Sequence, residues 1–103
     1  MVSRYEVRFS AEAELDLDRI FFYIAEQSSF EIADVYLARL ERACLLLRSF
    51  PNRGTAIPGS ETGLRSTSFD RRVTILFRVA NKHVEILRLL YGGRDLDSVL
   101  AKF

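Results

Sequence analysis

The hydrophobic period changes once along this chain, and it does so across one segment rich in turn residues. Before Pro51, apolar residues recur every three and four positions. After Gly63 they recur every two. A period near 3.6 is the mark of a helix with one buried face, and a period of 2 is that of a strand. The chain must therefore pack helices from its first half on a sheet built mainly from its second, an α+β arrangement. The dividing segment, Pro51 to Gly63, reads PNRGTAIPGSETG. Two prolines and three glycines in thirteen positions make it a loop. A loop of that length in a small domain is the kind of segment that carries function or moves.

The helical half opens with a strand. From Val2 to Phe9, Tyr5, Val7 and Phe9 fall on one side and Arg4, Glu6 and Arg8 on the other. Ser10 offers an N-cap, and Glu12 and Glu14 suit the first turn, where the helix dipole favours anions. The first helix is expected over about Ala11 to Gln27, with Ala13, Leu17, Ile20 and Ile24 as its stripe. Ser28-Ser29-Phe30-Glu31 fits a capping box and starts a second helix. Its stripe is Ala33, Leu37, Leu40, Cys44 and Leu47, and Pro51 stops it near Phe50. So short a link implies an antiparallel helical hairpin. Phe21, Phe22, Phe30 and Tyr36 exceed what one core face needs, and are candidates for a partner contact.

Three strands follow, Leu64 to Phe69, Arg72 to Ala80 and His83 to Tyr91, joined by turns at Asp70-Arg71 and Asn81-Lys82. Asp95 is placed to cap a short last helix from Leu96 to Lys102. With two-residue turns, register assigns Leu64, Val73, Ile75, Phe77, Val79, Val84, Ile86 and Leu90 to the face the hairpin covers. The opposite face carries Arg65, Thr67, Phe69, Arg72, Thr74, Leu76, Arg78, His83, Glu85, Leu87, Leu89 and Tyr91, a mixture of apolar side chains and arginines, and is expected to stay open to a partner segment. Arg78 falls opposite Glu85 as a cross-strand ion pair. Arg88 falls on the hairpin side, where a guanidinium needs a carboxylate. Asp16 or Asp18 of the first helix is expected to supply it. Tyr91 is either an aromatic anchor for a partner or packing for the tail helix.

Composition bounds the function. At 103 residues there is room for one domain, residues 1–103. Fifteen basic and fourteen acidic side chains leave a net charge of +1, which excludes a protein that wraps duplex DNA by bulk charge. Thirteen of the fifteen cations are arginine, suited to bidentate contacts with carboxylates or phosphates. Cys44 is the one cysteine and His83 the one histidine, so no disulfide within the chain and no thiolate metal cluster are expected. Cys44 sits on the inner stripe of its helix, a core position. Without a signal-like or bilayer-length apolar stretch, the expected compartment is the cytoplasm.

Four stretches resemble one family in order and spacing. The first helix holds Ala13, Asp16, Leu17, Ile20, Tyr23 and Ile24 at the spacing A-x-x-D-L-x-x-I-x-x-Y-I. Leu47 to Gly54 is similar to L-x-x-x-P-x-x-G, and Gly63-Leu64-Arg65 to an L-R strand start. Ile86 to Asp95, ILRLLYGGRD, resembles an ending I-L-R-V-x-H-G-x-R-D, with Tyr91 at the usual histidine. Together they resemble the RelE/ParE superfamily of toxins in type II toxin–antitoxin systems, and most closely its ParE branch. The resemblance implies the order β-α-α-β-β-β with a short C-terminal helix, the antiparallel-rich sheet covered on one face by the hairpin.

The resemblance also implies a function. ParE-type toxins are held to inhibit DNA gyrase without being RNases, and each is neutralised by a ParD-type antitoxin whose disordered tail folds on the toxin. It implies no cofactor, no metal, no catalytic residue in this chain, no sequence-specific nucleic-acid binding and no membrane contact. RelE-type members cleave mRNA on the ribosome with basic and aromatic groups on the open sheet face and tail. Here the nuclease strand arginine falls at about Thr74, the tail group falls at Leu100, and residues 51–63 contain no lysine. Arg65 and Arg94 remain the candidate functional arginines, for antitoxin, target or both. A ribosome-dependent RNase with substituted groups, and a non-toxic binding module on the same scaffold, stay open beside the ParE reading.

Overall fold

A computed structural model describes residues 5–92 and 96–103. In chain order the elements are β1 (Glu6–Phe9), α1 (Ala11–Gln27), α2 (Phe30–Leu45), β2 (Thr55–Ala56), β3 (Leu64–Phe69), β4 (Val73–Ala80), β5 (His83–Tyr91) and α3 (Leu96–Leu100). They form one five-stranded sheet in the order β1-β5-β4-β3-β2. Only β1 and β5 run parallel, and the other pairs are antiparallel. The two-residue β2, within the segment read as loop, is the one strand the sequence did not suggest.

The hairpin is built from two serine caps with no residue between them. Ser10 Oγ accepts the Ala13 N–H at 3.0 Å and opens α1. The Ser28 N–H closes α1 on the Ile24 carbonyl at 2.8 Å, and Ser29 Oγ accepts the Ile32 N–H at 3.1 Å to open α2. The cap thus sits one residue beyond the capping box expected at Ser28, and Glu31 lies in the first turn instead. After Leu45 the helix tightens into a 3-10 turn, Leu46–Arg48, before Pro51.

Ala13, Ile20 and Ile24 of α1 and Ala33, Leu37, Leu40 and Cys44 of α2 meet Val73, Ile75, Phe77, Val84, Ile86 and Leu89 of the sheet. The Asn81-Lys82 turn falls where expected, but Arg72 joins Asp70 and Arg71 in the other turn, so Phe69 pairs with Val73 and the faces of β3 are exchanged: Leu64, expected under the hairpin, joins the other side, and Arg65, expected on the open face, shares the face of Phe77. Asp70 and Arg71 take φ of 55° and 57°, and Asn81 takes 54°. Asp and Asn tolerate the left-handed region that such turns require.

The open face is corrected. A β-bulge between β4 and β5 puts Leu76 opposite Arg88 but Phe77 opposite Ile86, so Leu87 is the extra residue. A one-residue slip exchanges the faces of everything beyond it. Leu89 and Tyr91 therefore lie with the hairpin-side core, not on the open face, and Leu90 crosses to the other side. That other side is also covered. Leu64, Leu76, Leu87 and Leu90 form a second buried cluster closed by Val99, with Leu96, Leu100 and Ile57 at its margin. Leu76 and Leu87, expected on a partner surface, are 0 % and 7 % exposed. The short α3 buries them, because one turn of helix with Leu at each end spans a four-leucine patch.

Candidate partner-binding surface

Arg65 lies on β3, paired with Phe77 of β4 and Ala56 of β2. Its guanidinium turns back onto the preceding loop. Nη2 donates to the carbonyls of Asn52 (2.6 Å) and Gly54 (3.2 Å), and Nε to that of Arg53 (3.3 Å). A planar fork of donors fits three successive carbonyls, so Arg65 fastens the loop to the sheet. Arg78 Nε lies 3.5 Å from Glu85 Oε1, the expected cross-strand pair, and His83 Nε2 approaches the same oxygen at 3.5 Å. Arg94 lies outside the described residues.

A cleft of about 350 Å³ opens between α1 and the end of β5. At its base, Asp16 Oδ2 accepts Arg88 Nε at 2.7 Å and Asp16 Oδ1 accepts Arg88 Nη2 at 3.0 Å. The partner is thus Asp16 rather than Asp18. Arg19 adds a bond to Asp16 Oδ1 at 3.2 Å. The hydrogen bond to Asp16 holds Arg88 above its ordinary pKa, against the opposing effect of burial. Tyr23 and Tyr91 close the cleft with ring centroids 5.2 Å apart. Tyr91 thus packs on α1, and not on the tail helix. The contacts of Arg19 with Asp16 and of Tyr23, a motif position, with Tyr91 escaped the sequence reading. Their signal was the i+3 spacing from Asp16 and the shared helix edge.

The hairpin carries the exposed apolar surface. Phe21 stacks on Phe30 with centroids 6.0 Å apart and meets the edge of Phe22 at 5.4 Å. Phe22 and Phe30 are 59 % and 63 % exposed. On the far side of α2, Ile32 and Val35 are exposed beside Tyr36, which packs edge-on against Phe69 at 5.5 Å. Arg39 lies 5.4 Å over the Phe69 ring and 6.0 Å over Tyr36. The Tyr36 hydroxyl is buried with no hydrogen-bond partner among the described residues, and burial pushes its pKa up.

On the sheet side, a hollow of about 390 Å³ is lined by Thr55, Ser66, Thr67, Ser68 and Thr74 beside Leu96. Among the described residues, its lining offers hydroxyls and no titratable side chain. Among the described residues, no group of three or more His, Cys, Asp or Glu is placed to hold a metal. None of the helices there is long and apolar enough to cross a membrane.

A helical hairpin on one face of a sheet with a parallel β1–β5 pair and a three-stranded antiparallel run is the architecture of toxins in type II toxin–antitoxin systems. Two solved structures share it. One is the chromosomal ParDE system from P. aeruginosa, with TM-score 0.75 and 23 % identity, covering 86 % of this chain and 97 % of that one. The other is the RelBE2 toxin–antitoxin complex from Mycobacterium tuberculosis, with TM-score 0.63 and 23 % identity, covering 88 % and 94 %. The family described as the ParE toxin of the type II toxin–antitoxin system, parDE, matches residues 7–96, so the chain belongs to the ParE toxin family. Toxin ParE3 of Caulobacter vibrioides is 33 % identical over 87 residues, 84 % of this chain and 86 % of that protein.

Proposed function

We propose that this chain arrests bacterial growth by binding DNA gyrase, that it does so without covalent chemistry of its own, and that a ParD-type antitoxin in the cytoplasm neutralises it. Membership of the ParE family supports the toxin role. The observation that carries the non-enzymatic part is the sheet-side hollow. Where a ribosome-dependent nuclease needs a base and a phosphate clamp, this chain sets Thr74 among other hydroxyls, and Leu100 packs at the margin of the second core. The exposed phenylalanines of the hairpin and Arg78 on the sheet are the candidate contacts for antitoxin or target, with Tyr36, Tyr91, Arg65 and Arg94 as further candidates. Leu76, Leu87 and Leu89 join a partner surface only if α3 or the hairpin moves off them.

The test is induction of the chain alone, followed by parallel assays of gyrase-linked DNA breaks and of mRNA cleavage. Breaks with intact mRNA support the proposal. Cuts at ribosomal codons with intact DNA overturn it in favour of an RNase. Purified chain added to a gyrase supercoiling assay, with and without antitoxin, then tests both partners directly.

A further inference from the structure

Three departures from a self-sufficient fold meet around Phe69, where the turn between β3 and β4 adjoins α2. The first is in the backbone. The Arg72 N–H closes that turn on the Phe69 carbonyl at 3.0 Å, and Arg71 inside it takes φ of 57°. A Cβ is crowded in the left-handed region, and arginine lacks the short side chain that lets asparagine and aspartate bond locally there. The second is polar. The Tyr36 hydroxyl is buried with no hydrogen-bond partner among the described residues. The third is apolar. Ile32 and Val35 are 55 % and 62 % exposed, and with Glu31, Tyr36 and Arg39 they line a hollow of about 300 Å³. Phe69 joins the three, because it precedes the turn, meets the Tyr36 ring at 5.5 Å and lies 5.4 Å under Arg39. Local rules broken together, with no compensating contact inside the fold, mark a surface shaped for something outside it. Its charge is unbalanced. Arg39, Arg71 and Arg72 stand there, and Arg42, seven residues beyond Val35, continues the outer stripe of α2. The carboxylates on the same surface are Glu31 and Asp70, whereas Asp34 and Glu41 line the groove toward α1. Among the described residues, Arg42, Arg71 and Arg72 lie in no ion pair.

We infer that this surface, the arginine turn with the hollow beside it, is where the chain grips its protein target, and that the target presents an apolar side chain flanked by carboxylates. The inference rests on the reading that the target is DNA gyrase. The hollow takes a leucine- or phenylalanine-sized group at the centre of the contact, and burying Ile32 and Val35 around it excludes water there. The guanidinium forks of Arg39, Arg71 and Arg72 then pair with carboxylates at the rim, where bidentate geometry fixes orientation as well as sign. An arginine held in a tight turn also has less freedom to lose on binding than one on a loose loop. Carboxylates on a protein fit this surface better than the phosphates of a nucleic acid. Asp70 adjoins Arg71, and Glu31 lines the hollow with Arg39. A partner with one negative charge at every nucleotide would face both acids, whereas a protein can place its acids opposite the arginines alone.

The experiment takes the purified full chain through urea unfolding, inhibition of supercoiling by purified gyrase, and binding to its ParD-type antitoxin. Wild type is compared with R71N, V35E and N81G. Asparagine suits the backbone of Arg71 but carries no charge, and V35E sets an acid in the hollow. N81G changes a left-handed residue in the turn at the opposite end of β4. The expected result separates stability from function. R71N unfolds at a urea concentration equal to or above that of wild type. Yet R71N and V35E each require at least about tenfold more chain for half-inhibition, as loss of a central contact predicts. Both bind antitoxin like wild type, and N81G inhibits like wild type. If R71N and V35E inhibit gyrase as wild type does, the surface assignment falls and the gyrase reading stands. If wild type itself leaves gyrase active, that reading falls, and the inference with it. Weaker antitoxin binding by R71N or V35E gives the surface to the antitoxin and overturns the inference. A labelled DNA duplex that wild type binds alone and R71N does not would make the partner a nucleic acid, and self-association that V35E abolishes would make it a second copy; either overturns it. A lower urea midpoint for R71N would show that the turn holds no strain and would remove the premise.

Discussion

Asp16 and Arg88 join the first helix to the last strand where the sheet runs out of partners. β1 ends at Phe9, opposite Ile86, so among the described residues the remaining length of β5 has no strand on that side. Ser10 takes over first, donating its N–H to the Ile86 carbonyl and its hydroxyl to that of Leu87, both at 2.9 Å. Asp16 completes the edge. Its Oδ2 accepts the Leu89 N–H at 2.9 Å as well as Arg88 Nε. One carboxylate, 4 % exposed, thus holds a backbone donor and a guanidinium together. It also sits beside the bulge that frees Leu87.

Removing Arg88 should cost more than its surface position suggests. Arg88→Ala leaves Asp16 buried with only Arg19 and the Leu89 N–H as partners. Unpairing a buried charge costs about 3–5 kcal/mol, and the partial exposure of Arg88 reduces this to about 2–3 kcal/mol. Asp16→Ala should cost at least as much, because it also strands the Leu89 N–H. Urea unfolding of the two single variants and the double variant forms the cycle. A double variant no worse than either single one is expected, and single variants as stable as wild type would remove the pair as a structural lock.

The second prediction concerns the five-residue tail helix. Val99 is 5 % exposed and closes the cluster over Leu76 and Leu87. Val99→Asp places a carboxylate with no partner against four leucines. A loss of about 2–4 kcal/mol follows, from the lost packing together with the buried charge. Because the hairpin core is separate, the variant should stay folded and bind a hydrophobic dye through its uncovered sheet face. Absence of dye binding at full stability would mean that α3 is not the cover.

The sequence was readable as far as local rules reach. The Ser10 cap and the turns at Asp70 and Asn81 each depend on a few neighbouring residues, whereas α2 opens at Ser29 rather than Ser28 and gives way to a 3-10 turn after Leu45, short of Phe50. The alternation of β4 and of β5 up to Ile86 assigned its faces correctly. It failed on β3, because Arg72 joins the turn before β4, and at Leu87, because the bulge is not marked by glycine or proline. In ILRLLY, apolar residues stand on both sides of the strand, so either register buries leucines. The same run explains the missed cover. Four leucines facing away from the hairpin need a lid, and LDSVL is long enough to be one, but nothing in its spacing aims it at the sheet. Arg65 is the parallel case among the site residues. Its place in the β3 segment was legible but its face was not, and its use as a loop clamp depends on carbonyls eleven to thirteen residues away.

That clamp predicts a loop-specific defect. Arg65→Ala removes three hydrogen bonds to exposed carbonyls, worth about 1 kcal/mol in total where water replaces them. Cleavage by a protease near Asn52 to Gly54 should accelerate while the unfolding midpoint moves little. Gly54→Ala should be far worse. Gly54 takes φ +80°, and an added Cβ would fall on the Ser66 carbonyl, which belongs to the backbone and cannot yield cheaply. A loss above about 2 kcal/mol in chemical denaturation is expected, and a stable Gly54→Ala protein would show that the loop is free to move away from β3.

Alkaline pH should destabilise the fold through Cys44. Burial among Leu37, Leu40 and Leu47, with a smaller contribution from Glu41, pushes its thiol from 9.0 up to about 12. Below about pH 9 both folded and unfolded chains keep the proton, and the thiol makes no pH-dependent contribution. Between about 9 and 12 the unfolded chain releases it and the folded chain does not, so stability falls as pH rises, at a limiting slope of about 1.4 kcal/mol per pH unit. Tyr36, also raised by burial, adds to the loss from about pH 10 upward. Cys44→Ala starts lower because of its cavity but should stay nearly flat from pH 8 to 10, where wild type already declines. Urea titrations at half-unit pH steps decide it, and parallel curves for the two proteins would mean that the thiol ionises without unfolding. At neutral pH the same burial predicts that a thiol reagent labels Cys44 only when the chain opens, at a rate that Arg88→Ala increases.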